Sequence, residues 1–315
     1  MPAILTITLN PSIDFATSVA QVKAGPKLRC AEPRIDPGGG GVNVARAIAQ
    51  LDGQSTALVA VGGPNGTALL ALLAAEGIPT HPVPIKAETR QSFAVTDTGN
   101  NKQYRFVLPG PTLSPEETSS ILDHAFAAVN PGDYVVLSGS QPGGVPIDFP
   151  AQLCRRLTPK TDRVILDTSG PVLAHVIAHP ASGLHVLRID QNEARDAAGN
   201  PLSTAHDSVV FARGLVARGV AQIIVTGRGA EGSIMVSEDQ HIFCHAPKVP
   251  VVSKIGAGDA FVGALTLHMA RGCSPEHALR WAVAAASATI TTEGTALCTL
   301  SDVRRLLPEC VTTVA

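Results

Sequence analysis

The chain has 315 residues, of which 45% are hydrophobic and 16% charged, so it can bury a substantial core as one large α/β unit or two smaller domains. Its formal net charge of −2 argues against nucleic acid or an anionic membrane as the main partner. The six cysteines form no CxxC pair, and the sequence has neither an apolar run of spanning length nor a signal peptide, which favours a cytoplasmic protein with reduced thiols.

Short β-branched segments alternate with amphipathic helices along most of the chain. Strands are predicted at 3–9, 55–63, 133–140, 163–170, 183–190 and 222–229, and helices at 66–78, 114–129, 148–157 and 208–220. Ser114 and Glu117 have the spacing of a capping box at the start of one of these helices. The alternation predicts an α/β fold with a mostly parallel sheet covered by helices on both faces.

Two stretches interrupt this alternation and predict a small β-rich lid beside the main sheet. Residues 13–35 contain no convincing helix, and residues 89–109 have the pattern of a hairpin around a Gly-Asn turn. From residue 256 onward the pattern is almost wholly helical. No linker or internal repeat divides the chain, so residues 1–315 are predicted to form one domain, with lid segments at about 13–35 and 89–109.

Two glycine-rich segments precede helices and could approach a ligand closely. They are "DPGGGGVNVARAIAQL" at 36–51 and "KIGAGDAFVGALTLHMA" at 254–270. Each offers backbone N–H groups and the positive end of a helix dipole. From the residues alone, the first is either a nucleotide phosphate cradle or a site for another ligand. Asp259 in the second is either a helix N-cap or a reactive carboxylate.

Several separated motifs resemble the ribokinase-like PfkB family of carbohydrate kinases over essentially the whole chain. The general motifs are "NPSID" at 10–14, the glycine run at 38–41 and "GAGD" at 256–259. The segments "GPKLRC" (25–30), "TRQ" (89–91), "QYRFVLPG" (103–110) and "LSGSQPGG" (137–144) are most similar to its bacterial 6-phosphofructokinase branch.

This resemblance implies a glycolytic reaction, the phosphorylation of fructose 6-phosphate at its 1-hydroxyl by ATP and Mg²⁺, which gives fructose 1,6-bisphosphate. Alternatives within the family are tagatose 6-phosphate or fructose 1-phosphate as the substrate. In a different class, the chain would be a non-catalytic sugar-phosphate sensor, or a nucleoside-binding or structural protein of this fold. The resemblance also implies a homodimer through the lid, with sugar phosphate and ATP as ligands and neither nucleic acid nor a membrane as a partner.

The same resemblance implies roles for residues on the sugar side. The amides of Gly256, Ala257 and Gly258 would form an anion hole, and Asp259 would be the base toward the acceptor hydroxyl. An Asp at a helix N-terminus is expected to stay ionised and act as a weak base. The glycine run would then contact the sugar. The implied sugar-phosphate site comprises Asp14, Lys27, Gly39, Gly40, Asn43, Arg90, Ser92, Arg105 and Ser140, in which Lys27, Arg90 and Arg105 bind the phosphate.

The nucleotide half departs from the family pattern. Glu193 matches a Glu that holds Mg²⁺ through water, but Asp190 replaces an Asn of the same motif. The implied nucleotide residues are Arg188, Asp190, Thr226, Gly227, Gly229, Gly232 and Lys254. Arg188 replaces a Lys of the family, and Lys254 replaces a Thr. Gly227 replaces a residue with a hydroxyl group, which the neighbouring Thr226 would supply instead. A monovalent cation such as K⁺ would be held near Ser253, Ile255, Thr292 and Gly294, although Ala296 replaces an Arg there.

Asp190 would put a carboxylate beside the nucleotide phosphates, and this repulsion requires compensation. Mg²⁺ could bridge Asp190 and the phosphates together with Glu193, or Arg188 or Lys254 could neutralise it. Alternatively, the side chain turns away and caps the helix that begins near Gln191.

Overall fold

The computed structural model describes residues 1–180 and 183–314. The strands are β1 (Ile4–Thr8), β2 (Ser12–Val19), β3 (Arg34–Gly38), β4 (Thr56–Val61), β5 (Thr80–Pro84), β6 (Arg90–Asp97), β7 (Lys102–Val107), β8 (Tyr134–Ser138), β9 (Val164–Asp167), β10 (Leu184–Ile189), β11 (Ile223–Gly227), β12 (Gly232–Val236), β13 (His241–His245) and β14 (Thr312–Val314). The helices are α1 (Gly40–Gln50), α2 (Gly63–Ala75), α3 (Pro115–Ala128), α4 (Phe149–Leu157), α5 (Gly170–Ala178), α6 (Gln191–Ala198), α7 (Ala205–Ala217), α8 (Ala257–Ala270), α9 (Pro275–Thr289) and α10 (Leu300–Leu306).

The main sheet has ten strands in the order β5-β4-β1-β8-β9-β10-β11-β12-β13-β14. The seven strands from β5 to β11 are parallel, and the last three are added antiparallel. The predicted α/β fold with a mostly parallel sheet is therefore confirmed. The antiparallel extension is new, because the sequence analysis assigned no strands to β12–β14 and treated the end of the chain as helical.

Helices cover both faces of this sheet, and successive residues of its strands belong to different cores. In β1, Leu5 and Ile7 belong to the core that includes residues of α3 to α7, whereas Ile4 belongs to the core that includes residues of α1, α8, α9 and α10. Strands buried on both faces read as continuous apolar runs, which is why the parallel strands were recognisable from sequence. Among the described helices, none is long and apolar enough to cross a membrane.

A second sheet of four strands, in the order β3-β2-β6-β7, comes from the two segments predicted to form a lid. Its strand register aligns Ile35, Phe15, Phe93 and Phe106 in one row on one face. Asp14 lies on the opposite face, because side chains alternate along a strand. The description of the chain as one domain with a lid stays a prediction.

Candidate active site

A cavity of about 260 Å³ lies between the polar face of the small sheet and the N-termini of α1 and α8. It adjoins the carboxyl ends of β1 and β8, the edge at which parallel sheets bind ligands. Its lining residues are Ser12, Asp14, Phe15, Gly39, Gly40, Asn43, Arg90, Ser92, Phe93, Ala94, Arg105, Val107, Gly139, Lys254, Ile255, Gly256, Asp259 and Thr295. The cavity therefore collects most of the predicted sugar side, together with Gly256 and Asp259 of the predicted catalytic loop.

The start of α8 explains the spacing of the GAGD motif. Gly256 is the N-cap with φ 75°, a left-handed conformation that favours glycine. The helix begins at Ala257, so Asp259 lies within its first turn and is not the N-cap. The N–H groups of this first turn have no partners inside the helix and form an anion-binding end. The reading of Asp259 as a helix cap is therefore wrong.

Asp259 is unusually basic for a carboxylate. Its burial and the nearby charge of Asp167 raise its pKa to about 7, and the hydrogen bond from Asn43 and the charge of Arg188 only partly oppose this. The expectation that Asp259 stays fully ionised is therefore wrong, because desolvation and a like charge outweigh the helix dipole. A carboxylate with such a pKa is better matched to taking a proton near neutral pH.

A partly buried chain of polar contacts orients Asn43, the partner of Asp259. The side-chain Nδ2 of Asn43 donates to Oδ2 of Asp259 at 3.0 Å, and Arg46 donates to Oδ1 of Asn43 at 3.3 Å. Because a guanidinium only donates, this contact fixes which end of the amide faces Asp259. Arg46 is itself held by two 2.7 Å hydrogen bonds to Glu76 and one of 3.3 Å to Asp36. The sequence analysis missed Arg46, although an Arg among the apolar residues of "VNVARAIA" was a signal.

Asp14 is the polar centre of the sugar side. The hydroxyl of Ser12 donates to its Oδ1 at 2.6 Å. Burial raises the pKa of Asp14, while Ser12, Arg90 and Arg105 act in the opposite direction. Strand register aligns Asp14 with Ser92 in the neighbouring strand, so both face the cavity. A carboxylate between two arginines suits hydrogen bonding to sugar hydroxyls beside a phosphate.

The glycine run lets neighbouring parts of the protein lie close together, and it also lets a ligand approach the backbone. A Cβ at position 38 would lie 2.1 Å from Oδ2 of Asp14, and one at position 40 would lie 2.5 Å from the backbone nitrogen of Gly139. Glycine at position 40 therefore allows α1 to start against the end of β8, and glycine at position 38 leaves room for the Asp14 carboxylate. Gly39 and Gly40 also line the cavity, as expected from the resemblance.

The predicted phosphate-binding cations divide into two groups. Arg90 and Arg105 line the cavity, and Arg90 is held by the carbonyl of Asn10 at 3.3 Å and the hydroxyl of Ser92 at 3.1 Å. Lys27 lies on the exposed loop between β2 and β3 and does not line the cavity in this structure. Ser140 is exposed next to the lining residue Gly139, and its hydroxyl accepts from the Asn10 amide at 3.1 Å.

Arg188 links the predicted nucleotide side to the catalytic loop. Its guanidinium lies 3.2 Å from Oδ1 of Asp167 and lies against Gly258, where a Cβ would be 3.2 Å from its NH1. Burial lowers the pKa of Arg188, but the charges of Asp167, Glu193 and Asp190 outweigh burial and raise it. Asp167 was missed by the sequence analysis, although an acidic residue at the end of a predicted parallel strand was a signal.

Asp190 and Glu193 form a capping box at the start of α6. Oδ1 of Asp190 accepts from the backbone N–H groups of Asn192 and Glu193 at 2.8 Å, and Oε2 of Glu193 accepts from Asp190 N at 2.8 Å. The N-cap alternative for Asp190 is therefore the one observed. These contacts use one oxygen of each carboxylate, so the bridging alternative stays a prediction. Burial raises the pKa of Glu193, supported by the charges of Asp190 and Asp167.

Two of the predicted nucleotide residues are buried in the sheet, and their contact with a nucleotide stays a prediction. Thr226 has no exposed surface inside β11, and its hydroxyl has no hydrogen-bond partner within the described residues. Gly232 is buried at the start of β12, where a Cβ would lie 2.0 Å from the carbonyl oxygen of Cys244, and it serves strand pairing. Gly227 and Gly229 lie beside Gln191 at the start of α6, and Lys254 is exposed at the cavity.

The segments predicted to hold a monovalent cation come together. The hydroxyl of Ser253 donates to the carbonyl of Gly294 at 2.9 Å and accepts from Ile255 N at 3.3 Å. Thr292 donates to the carbonyl of Ala296 at 2.6 Å, which closes the second loop. Carbonyl and hydroxyl oxygens in such a loop pair are suitable cation ligands, and K⁺ there stays a prediction.

Comparison with known proteins gives a consistent family. The sequence matches the pfkB family carbohydrate kinases over residues 7–302. It is 42% identical over 308 residues to ATP-dependent 6-phosphofructokinase isozyme 2 of Mycobacterium tuberculosis, covering 96% of this chain and 88% of that protein. It is 34% identical to 1-phosphofructokinase of Xanthomonas campestris over 262 residues, covering 83% of this chain and 82% of the other.

The fold matches solved structures of phosphofructokinase-2 from Escherichia coli. The complex with fructose-6-phosphate superimposes with a TM-score of 0.90 and 35% identity, covering 98% of this chain and 99% of that one. The complex with potassium gives a TM-score of 0.91 and 36% identity over the same shares.

Proposed function

The chain belongs to the pfkB family of carbohydrate kinases, and from that premise we propose that it transfers the γ-phosphate of ATP to the 1-hydroxyl of fructose 6-phosphate, giving fructose 1,6-bisphosphate. One observation carries the proposal. Asp259, with a pKa raised to about 7, lines the same cavity as Asp14, Arg90 and Arg105. A proton acceptor and a phosphate-binding pair in one cavity fit a phosphorylated sugar with a free hydroxyl.

The residues divide the work in the following way. Arg90 and Arg105 bind the 6-phosphate of the substrate, and Asp14 and Asn43 hold its hydroxyls. The 1-hydroxyl donates its proton to Asp259 as its oxygen attacks the γ-phosphorus, and the bond from that phosphorus to the β,γ-bridging oxygen breaks to release ADP. The N–H groups at the start of α8 stabilise the charge on the transferred phosphoryl group. Lys27 would reach the substrate only if its loop moved toward the cavity.

Mg²⁺ fits the residues between the nucleotide side and Asp259. The carboxylates of Asp167 and Glu193 offer the hard oxygen ligands that this ion takes, directly or through water. Burial raises the pKa of Glu193, so a bound cation would relieve a real desolvation cost. When bound, Mg²⁺ neutralises charge on the ATP phosphates. Arg188, Gly227, Gly229 and Lys254 complete the proposed nucleotide contacts.

Two observations separate this proposal from the alternatives. A non-catalytic sensor has no use for an Asp259 with a raised pKa held by Asn43 and Arg46, so the sensor is disfavoured. The similarity to a 1-phosphofructokinase leaves fructose 1-phosphate as a second candidate substrate. Both ketose phosphates present a phosphate at one end and a primary hydroxyl at the other. The higher identity to a 6-phosphofructokinase favours fructose 6-phosphate.

We also propose that the small sheet mediates a homodimer. Phe106 is 52% exposed and Ile35 is 44% exposed, at the two ends of the apolar row on the sheet face opposite Asp14. An exposed apolar sheet face of this kind suits a second copy of the same chain. For K⁺, we propose the loops around Ser253 and Gly294.

A coupled assay of ADP release tests the proposed reaction. Purified protein is supplied with MgATP and, in separate wells, fructose 6-phosphate, tagatose 6-phosphate, fructose 1-phosphate and unphosphorylated fructose. We expect the highest kcat/KM with fructose 6-phosphate and none with fructose. A variant with Asp259→Asn is the matched control, since it keeps the size and hydrogen bonding of the side chain. No turnover of any ketose phosphate would refute the proposal.

A further inference from the structure

We propose that His268, Cys273 and His277 form a binding site for a divalent ion of the zinc class at the junction of α8 and α9. Each residue offers one ligand atom, and these atoms all lie within 4.8 Å of one another. Within residues 1–180 and 183–314, no other set of three His, Cys, Asp or Glu residues meets this condition.

The turn between the two helices holds the three residues together. Gly272 has φ 72° and reverses the chain after α8, and Cys273 N donates to the carbonyl of His268 at 3.0 Å. Ser274 caps α9 by accepting from His277 N at 3.2 Å, which fixes His277 in the first turn of that helix. The three side chains are therefore brought together by backbone hydrogen bonds and not by chance contact of mobile loops.

The distances suit tetrahedral coordination after small side-chain shifts. Sγ of Cys273 lies 3.8 Å from Nδ1 of His268. Zinc bonds of about 2.3 Å to sulfur and about 2.0 Å to nitrogen give a tetrahedral S–N separation of roughly 3.5 Å. Two imidazoles and a thiolate are ligands that zinc prefers over Mg²⁺. His277 is exposed, which leaves a fourth position for water.

The ring of His268 is held in place beside Cys273. The residue is 3% exposed, and its Nδ1 lies 3.8 Å from Sγ of Cys273. Trp281 stacks on the ring with centroids 4.3 Å apart and limits its movement. Metal binding displaces the proton of the Cys273 thiol as the sulfur–metal bond forms.

The site is separate from the catalytic cavity but lies on the same helix. His268 follows Asp259 by nine residues, about 14 Å along α8. A bound ion would join the last turn of α8 to the first turn of α9. We therefore expect it to raise the melting temperature of the protein while leaving Asp259 accessible.

Cobalt titration of the metal-free full-length protein tests the proposal, because a cobalt–thiolate bond gives a charge-transfer band that oxygen ligands do not. We expect the band to appear, zinc to remove it, and excess Mg²⁺ to leave it unchanged. Cys273→Ser should abolish the band, and His277→Gln should abolish it or greatly weaken binding. Cys30→Ser, at another accessible thiol, is the matched control and should keep the band.

Thermal melting supplies the second readout. Zinc should raise the melting temperature of the wild type and of Cys30→Ser but not that of Cys273→Ser. The metal-free Cys273→Ser variant should melt with the metal-free wild type, which verifies its fold. Absence of the band in the wild type, its persistence in Cys273→Ser, or its loss in Cys30→Ser would overturn the proposal.

Discussion

Replacing Asp259 with Asn should reduce activity and increase stability, in a pH-dependent way. Asn keeps the hydrogen bond with Asn43 but cannot accept the substrate proton, so kcat should fall by roughly 10²–10⁴-fold with little change in KM. The wild-type kcat/KM should fall below pH 7, because the carboxyl with a pKa of about 7 becomes protonated.

The stability effect follows from the raised pKa. A carboxyl whose pKa is 3.8 in the unfolded chain and about 7 in the native state binds a proton more tightly when the protein is folded. Its contribution to stability is therefore complete below the unfolded value and is lost as pH rises toward 7. The full shift corresponds to at most about 4 kcal/mol, of which about 3 kcal/mol is lost between pH 5 and pH 8. Asp259→Asn removes this loss.

Denaturant unfolding of both proteins at pH 5 and pH 8 measures the effect. The difference in the free energy of unfolding between Asp259→Asn and the wild type should increase by up to about 3 kcal/mol from pH 5 to pH 8. A gap that is independent of pH would contradict the raised pKa. A variant that keeps its kcat and unfolds more easily would show that Asp259 has a structural role only.

Four further results are expected. Arg90→Ala and Arg105→Ala should each raise the KM for the sugar phosphate by the equivalent of roughly 1.5–3 kcal/mol and leave the KM for ATP unchanged. Equal effects on the KM values of both substrates would indicate a structural role. Asp190→Asn should keep the melting temperature of the wild type, because Asn is an equally good N-cap. The dependence of kcat/KM for ATP on free Mg²⁺ should also stay the same, and a flattened Mg²⁺ curve would support the bridging alternative. Arg46→Met should lower the free energy of unfolding by about 3–5 kcal/mol and also lower kcat, and a stable variant with unchanged kcat would refute the orienting role. Phe106→Asp should convert a dimer to a monomer in light scattering after size exclusion, and an unchanged mass would exclude this face as the interface.

The elements that the sequence revealed are those with strong local signals. β-branched runs identified the parallel strands, and Ser114 with Glu117 marked the start of α3, where the structure has the full capping box. Helix α5 was missed because its residues are apolar on nearly all sides, so it lacks a helical period. Helix α6 is short and polar, so only its start near Gln191 could be expected, and β14 has three residues and gives little signal.

The site could be located from motifs, but its electrostatics could not. The pKa of Asp259 depends on Asp167, which lies on β9 and approaches it only through the order of strands in the sheet. The orientation of Asn43 likewise depends on Arg46 and on Glu76 in a different part of the chain. Such effects arise from contacts between distant segments, and local patterns do not encode them.

Identification of the reaction product is the most direct test of the proposed kinase activity. Purified protein, MgATP and fructose 6-phosphate are incubated, and phosphorus NMR follows the sugar phosphates. Asp259→Asn serves as the control reaction. We expect ADP and a sugar with two phosphate esters, the new one on the 1-carbon, in equal amounts. Release of ADP with inorganic phosphate and an unchanged sugar, or no change in either substrate, would contradict the account.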